Sequence, residues 1–217
     1  MLLSIRKAKL SEYLKAQLAH AFPDGRGPGV KATAAVVGDA LDAAEYCFSR
    51  IAVKYFSKRG QPVFNYLNSD QYAMFLYWVS RIALERDDEV FAEKAYCLNK
   101  MMHGLDVFYE VQLRKVFFFC HVIGTVLGRA QYSDYLSVFQ GVTVGGNHGI
   151  YPILGKYVTL LGGCTVIGKC QIGENTIIGA DALIKDRDVA DHRIALSQEA
   201  GIVEIPNNNE RYLAIFK

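Results

Sequence analysis

Between Leu154 and Ile184 an aliphatic side chain returns at every sixth position: Leu154, Leu160, Val166, Ile172, Ile178 and Ile184. A second row follows four residues behind the first: Val158, Cys164, Cys170, Thr176 and Ala182, all small or branched. A helix repeats its apolar face about every 3.6 residues and a half-buried strand every second residue, so neither produces a strict six. A hexapeptide repeat does, and it predicts a parallel β-helix. Three hexads, ~18 residues, make one triangular coil that climbs about 4.8 Å, with one aliphatic side chain per hexad pointing into the prism. Gly155, Gly168, Gly173 and Gly179 fall near the expected corners, where positive φ suits glycine.

The same phase extends upstream through Tyr132, Val138 and Val144, with Leu127 one step out of register. Residues 145–153, Gly-Gly-Asn-His-Gly-Ile-Tyr-Pro-Ile, break the count and read as a loop projecting from the prism, a place where function tends to sit.

Before about residue 115 the period is helical. Leu10, Tyr13, Leu14, Leu18 and Ala21 share a face of a first helix, closed by Pro23 and a Gly-Pro-rich loop to Gly29. A second helix is expected from about Ala32 to Tyr55. Asn68 or Ser69 caps a third, with Tyr72, Phe75, Leu76, Val79 and Ile82 on one face. Asp87 or Asp88 opens a fourth, through Phe91, Ala95, Leu98 and Met102 to Gly104. The pattern therefore predicts an α+β chain: an α-helical domain over 1–115, a β-helix domain over 116–190 and a carboxy-terminal tail over 191–217.

Composition narrows the function classes. A net charge of +2 argues against a dedicated nucleic-acid binder. The longest apolar run, residues 116–128, is interrupted by His121 and is too short to span a bilayer. The first 22 residues lack a signal peptide's apolar core, so a cytoplasmic protein is expected. Five cysteines without CxxC spacing suit neither a disulfide framework nor a zinc knuckle. Cys164 and Cys170 share a repeat phase and read as small core residues, as do Cys47 and Cys97 in their helices. Asp134 reads as a turn residue. About four coils are short for a solitary solenoid, and a trimer around a three-fold axis would cover the flat faces.

The segment Phe119-Cys-His-Val-Ile-Gly-Thr-Val-Leu-Gly128, then Val138-Phe-Gln-Gly-Val-Thr-Val-Gly-Gly146 and the hexads, resembles the serine acetyltransferase branch of the hexapeptide acyltransferases over residues 119–186. The stretch Tyr96–Leu105 resembles that family's amino-terminal domain more loosely. The resemblance implies a left-handed β-helix, an acetyl-CoA co-substrate, no metal, and a homotrimer that pairs into a dimer of trimers. On the residues alone, His121 is equally a catalytic base or a histidine satisfied by backbone groups. The resemblance makes it the general base, since an imidazole titrating near neutrality can take the proton of an attacking hydroxyl. The glycine corners are expected to offer N–H donors to the oxyanion.

Two departures bear on the acceptor. Cys120 stands where the family has an acid that helps hold it; as a nucleophile it is poorly placed, because neighbouring residues in an extended segment face opposite ways. Ile150-Tyr151-Pro152 replaces an Arg-His-Pro run whose cation and histidine grip a carboxylate, and an aliphatic chain supplies neither charge nor donor fork. Tyr151 and His148 are the loop's remaining acceptor-binding candidates, and His103 and Asp106, three apart, would share a helix side. By position in the family, Gly145, Gly146, Gly163 and Ala180 line the acetyl-CoA groove, and Lys185 could meet a cofactor phosphate. The family's Ala-Gly-x-Pro-Ala run is replaced by residues 196–200 and an Asn-rich turn at 207–209.

The expected activity is O-acetyl transfer from acetyl-CoA to a sugar-like hydroxyl, on a surface-polysaccharide or nucleotide-sugar precursor. L-Serine is the alternative acceptor, and a non-catalytic binding module is the remote one. Hexapeptide prisms also host zinc-dependent carbonic anhydrases, but these need three histidine ligands. The prism offers His121 and His148, with His192 well downstream.

Overall fold

The computed structural model describes residues 1–208 and 214–217, so Asn209 of the Asn-rich turn lies outside the described residues. The chain divides into two compact units, Met1–Glu110 and Val111–Lys217.

The first unit is built on α1 (Lys7–Ala21), α2 (Val30–Phe48), α3 (Ser69–Glu85) and α4 (Glu89–His103). Leu10, Leu14 and Leu18 of α1 are buried, on the predicted stripe. Asn68 caps α3 by accepting from the Gln71 amide at 3.0 Å, and Asp88 caps α4 by accepting from the Phe91 amide at 3.0 Å. Gly104 ends α4 in the left-handed conformation, φ 61°. Met102, expected on the apolar face, is exposed.

The second helix ends seven residues short of Tyr55, for a local reason. In a continued helix the Tyr46 carbonyl would accept from the Arg50 amide. Here it accepts from Ser49 Oγ at 2.8 Å and Arg50 Nη1 at 2.7 Å, while the Arg50 amide turns to the Cys47 carbonyl at 3.0 Å. The chain then forms a small sheet that the helical pattern did not predict. Its strands are β1 (Leu2–Leu3), β2 (Ser57–Lys58) and β3 (Gln61–Phe64), and β3 lies between the other two. Arg59 and Gly60, φ 52° and 78°, make the two-residue turn between β2 and β3. Lys94 anchors the loop after α1: its buried amine donates to Asp24 and to the Arg26 carbonyl. That ammonium holds the Asp24 carboxyl down at about 2.

The second unit is the predicted solenoid. Its first coil carries β4 (Phe117–Phe119) and β5 (Val126–Leu127), and its second carries β6 (Leu136–Val138), β7 (Thr143–Gly145) and β8 (Ile153–Leu154). The third carries β9 (Thr159–Leu160), β10 (Thr165–Ile167) and β11 (Gln171–Ile172), and the fourth β12 (Ile177–Ile178) and β13 (Leu183–Lys185). Parallel pairing stacks them into three faces, β4-β6-β9-β12, β5-β7-β10-β13 and β8-β11. Both predicted rows, from Leu154 to Ile184 and from Val158 to Ala182, point inward and are buried. Val166 pairs with Ile184, eighteen residues on, whereas Leu127 pairs with Val144, seventeen on, which explains its slipped phase.

The expected tail at 191 starts too early. β14 (Arg193–Gln198) pairs in parallel with β12, adding another rung, and then folds back antiparallel with β15 (Gly201–Pro206). Near the end of the chain, Phe216 packs edge-on against Tyr135 and Tyr157, whose rings stack 4.3 Å apart.

The corner chemistry differs from expectation. Left-handed residues do recur at the corners, but many are not glycine: Tyr135, Tyr157, Asn175 and His192 form one such ladder. Each of the last three takes its amide hydrogen bond from the preceding coil, to Asp134 O, Lys156 O and Glu174 O. Of the four predicted corner glycines, only Gly168 has positive φ. Gly155, Gly173 and Gly179 are needed because backbone of the adjacent coil passes where a Cβ would stand.

Candidate active site

His121 stands two residues past β4, after Cys120, and turns the first coil from one face to the next. Its φ is 53°, a region that non-glycine residues rarely occupy. Its carbonyl accepts from the Ile123 amide at 2.7 Å, and the imidazole-bearing residue is exposed. The strained backbone, held by the pairing of Cys120 N with Val138 O at 2.9 Å, fixes where the ring emerges. Cys120 beside it is half-buried.

The predicted loop is an ordered hairpin. Asn147 and Ile150 exchange backbone hydrogen bonds at 2.9 and 3.0 Å around His148 and Gly149, φ 49° and 78°. Positive φ at both central positions is the type I′ signature. The hairpin is held at two points. Asn147 Nδ2 donates to Asp186 Oδ2 at 2.5 Å, and Asp186 Oδ1 accepts from the Lys169 amide at 2.9 Å. These donors, with Lys185 and His148 nearby, hold the Asp186 carboxyl below the usual carboxylate range. At the other point the Tyr151 ring lies over Gly146, where an added Cβ would meet it at 2.8 Å. The glycine is thus the floor for the tyrosine. His148 stands at the exposed tip of the turn.

Between this hairpin and the first coil runs a groove of about 470 Å³, lined by Arg129, Ala130 and Gln131 on one side and by residues 149–153 on the other. Its wall is stitched by hydrogen bonds from Gln131 N to Pro152 O at 3.0 Å and from Leu154 N to Gln131 O at 2.8 Å. Arg129 is the one charged side chain among these lining residues. It belongs to none of the motifs described above. The available signal was a guanidinium placed immediately after the Gly128 corner that closes the His-x-x-Gly-x-x-x-Gly pattern.

The five positions expected along the cofactor flank a single sheet. Gly163 and Ala180 lie at the corners before β10 and β13, and Gly145, Gly146 and Lys185 lie at or just past the ends of β7 and β13. Corner glycine amides were expected to offer oxyanion donors, but Gly168, named among those corners, and the left-handed Gly141 and Gly163 already spend theirs within the prism. Gly141, Gly163 and Gly168 donate to Ile123 O, Gln140 O and Gly145 O.

His103 and Asp106 do not share a helix side, because α4 ends between them at Gly104. His103 is buried, its Nδ1 is 2.7 Å from Asn99 Oδ1, and its ring meets Tyr72 edge-on. Burial pushes its pKa down to about 4. Asp106 instead accepts from Tyr96 Oη at 2.7 Å and Lys100 Nζ at 2.6 Å. Both side chains are therefore committed within the first unit, in separate networks. Asp134 is the expected turn residue, accepting from the Val116 amide at 2.9 Å. Among the described residues no three His, Cys, Asp or Glu side chains are grouped to hold a metal ion. No helix among them is long and apolar enough to cross a membrane.

No family model matches the chain. It is 35% identical over 97 residues to the serine acetyltransferase of Synechococcus elongatus, covering 42% of this chain and 39% of that protein. It is 29% identical over 115 residues to the serine acetyltransferase of Mycobacterium tuberculosis, covering 49% of this chain and 50% of that protein. The match thus spans half or less of these curated relatives. A serine acetyltransferase solved in complex with CoA superposes with a TM-score of 0.66 at 18% identity, covering 89% of this chain and 83% of that one. The chain is a serine acetyltransferase-like hexapeptide-repeat β-helix protein. In this serine acetyltransferase-like chain the shared fold carries a first-coil histidine and a projecting loop, while the loop's own chemistry departs at Ile150 and Tyr151.

Proposed function

We propose that the chain is an acetyl-CoA-dependent O-acetyltransferase, that L-serine is its acceptor and that His121 is the general base. The observation that carries the reading is His121 itself: an exposed imidazole on a left-handed corner of the first coil, in a fold matched across 89% of the chain by a CoA-binding serine acetyltransferase. The sugar-like acceptor finds no support among the relatives, which are serine acetyltransferases by name.

In this mechanism the imidazole accepts the acceptor hydroxyl's proton as its oxygen attacks the thioester carbonyl. The tetrahedral intermediate then collapses, expelling the CoA thiolate, which takes up a proton, and leaving the acetyl ester. No acetyl-enzyme is formed, and Cys120 has no nucleophilic part. CoA would lie along the β5-β7-β10-β13 sheet between the corners of Gly163 and Ala180 and the ends marked by Gly145, Gly146 and Lys185. That sheet turns Val126 and Leu183 outward, apolar and exposed, which suits a neighbouring copy in a homotrimer.

The test is acetyl-CoA turnover with L-serine, sugars and nucleotide sugars in parallel, with the acetylated product identified by mass spectrometry. O-Acetylserine is expected. Acetylation of a sugar alone would overturn the acceptor, and absence of CoA release with every acceptor would overturn the activity.

A further inference from the structure

We infer that Arg129 reads the acceptor's carboxylate, supplying from the first coil the cation that Ile150 and Tyr151 do not supply from the hairpin. The inference rests on the serine reading above. An α-amino acid acceptor brings a carboxylate into its pocket, and a carboxylate wants a positive donor fork. The groove between the first coil and the hairpin has the volume of a small-molecule site, about 470 Å³. Among the described residues lining it, Arg129 is the one that carries a charge, and Gly149, Ile150 and Tyr151 on the hairpin side bring none. Gln131 and Tyr151, which carry an amide and a phenol, line the same groove. The wall is rigid, because Gln131 is hydrogen-bonded through both backbone groups to the hairpin's exit strand and Tyr151 is seated on Gly146.

Arg129 and His121 stand at successive corners of one coil with β5 between them. At about 3.3 Å per residue that face is on the order of 15 Å long. In serine the carboxylate and hydroxyl are only a few bonds apart, so within the proposed homotrimer the Arg129 groove of one copy would serve the His121 of a neighbouring copy. Arg129 is thus a specificity-determining residue for acceptors that carry a carboxylate.

The experiment compares L-serine with L-serinamide, whose carboxylate is a neutral amide, in the full-length wild type and in Arg129→Gln and Arg129→Lys. In Arg129→Gln the KM for serine should rise roughly 10- to 100-fold, with the KM for acetyl-CoA and the kcat/KM for serinamide unchanged, so the preference for serine collapses. Arg129→Lys keeps the charge but loses the fork, and should retain serinamide turnover while losing part of that preference. Co-expressing His121→Ala with Arg129→Gln should restore about a quarter of wild-type serine activity, because random mixing leaves one pairing in four intact. An unchanged serine preference in both Arg129 variants would overturn the assignment to Arg129. A wild type that does not acetylate serine would overturn the serine reading itself, before any variant is considered.

Discussion

Asn147 Nδ2 donates to Asp186 Oδ2 at 2.5 Å, fastening the hairpin that leaves the second coil to a corner of the fourth. The intervening third coil passes close beneath, where a Cβ on Gly168 would meet both Asn147 and Asp186. The bond converts a nine-residue interruption of the hexads into a fixed arm. Asp186→Ala should release it, with faster hydrogen exchange at the Lys169 and Ile150 amides and little change in the amides of β10 and β13. Equal protection in the variant would show that the turn geometry alone holds the arm. The Asp186 carboxyl is depressed below its ordinary 3.8, so the latch contributes fully above that value and is lost as pH falls through the lower folded value.

Glycines of the hairpin turn and of the solenoid corners should respond differently to substitution by alanine. Gly149 has open space around it and only its φ of 78° to lose, so Gly149→Ala should cost about 1 kcal/mol. At Gly173 a Cβ would meet the Ala190 carbonyl carbon at 2.6 Å and the Asp191 amide nitrogen, both backbone, as well as the Asp191 carboxylate. Gly173→Ala should therefore cost more, roughly 2–3 kcal/mol, since neighbouring coils must part. Urea midpoints of the two variants check the order; equal shifts would contradict it.

Buried His103 predicts a pH effect on the stability of the chain. Its folded pKa, about 4, lies below the ordinary 6.5 because burial penalises the charged ring. The unfolded chain therefore binds the proton more readily, and stability falls as pH drops from 6.5 towards 4 while staying flat above about 7. The contribution is on the order of 3 kcal/mol. The stability difference between wild type and His103→Gln, followed by urea unfolding across that range, should shrink as the pH falls. A constant difference would contradict the assignment.

The prism was legible in the sequence because its core obeys one rule: the inward position of every hexad is a single aliphatic row, and the six positions from Leu154 to Ile184 are all buried. The helices were legible where an apolar stripe and a capping side chain coincide, as at Asn68 and Asp88. The end of α2 was not, because it depends on two side chains, Ser49 and Arg50, competing for one carbonyl. Corner glycines were found for the wrong reason at Gly155, Gly173 and Gly179, since close approach of another coil leaves no trace in local sequence. The site was half legible. His121 sits in a motif, but Arg129 gains meaning only when residues 149–153 fold back beside it. His103 and Asp106 were paired by spacing alone, and Gly104 undoes that spacing by ending the helix.

The most direct test is serine-dependent CoA release by wild type and His121→Ala under matched conditions. His121 is exposed, so the variant should fold with an unchanged circular dichroism spectrum. The proposed mechanism predicts serine-dependent release in the wild type and a loss of roughly 10²- to 10⁴-fold in kcat in the folded variant. A folded His121→Ala that releases CoA at the wild-type rate would contradict it.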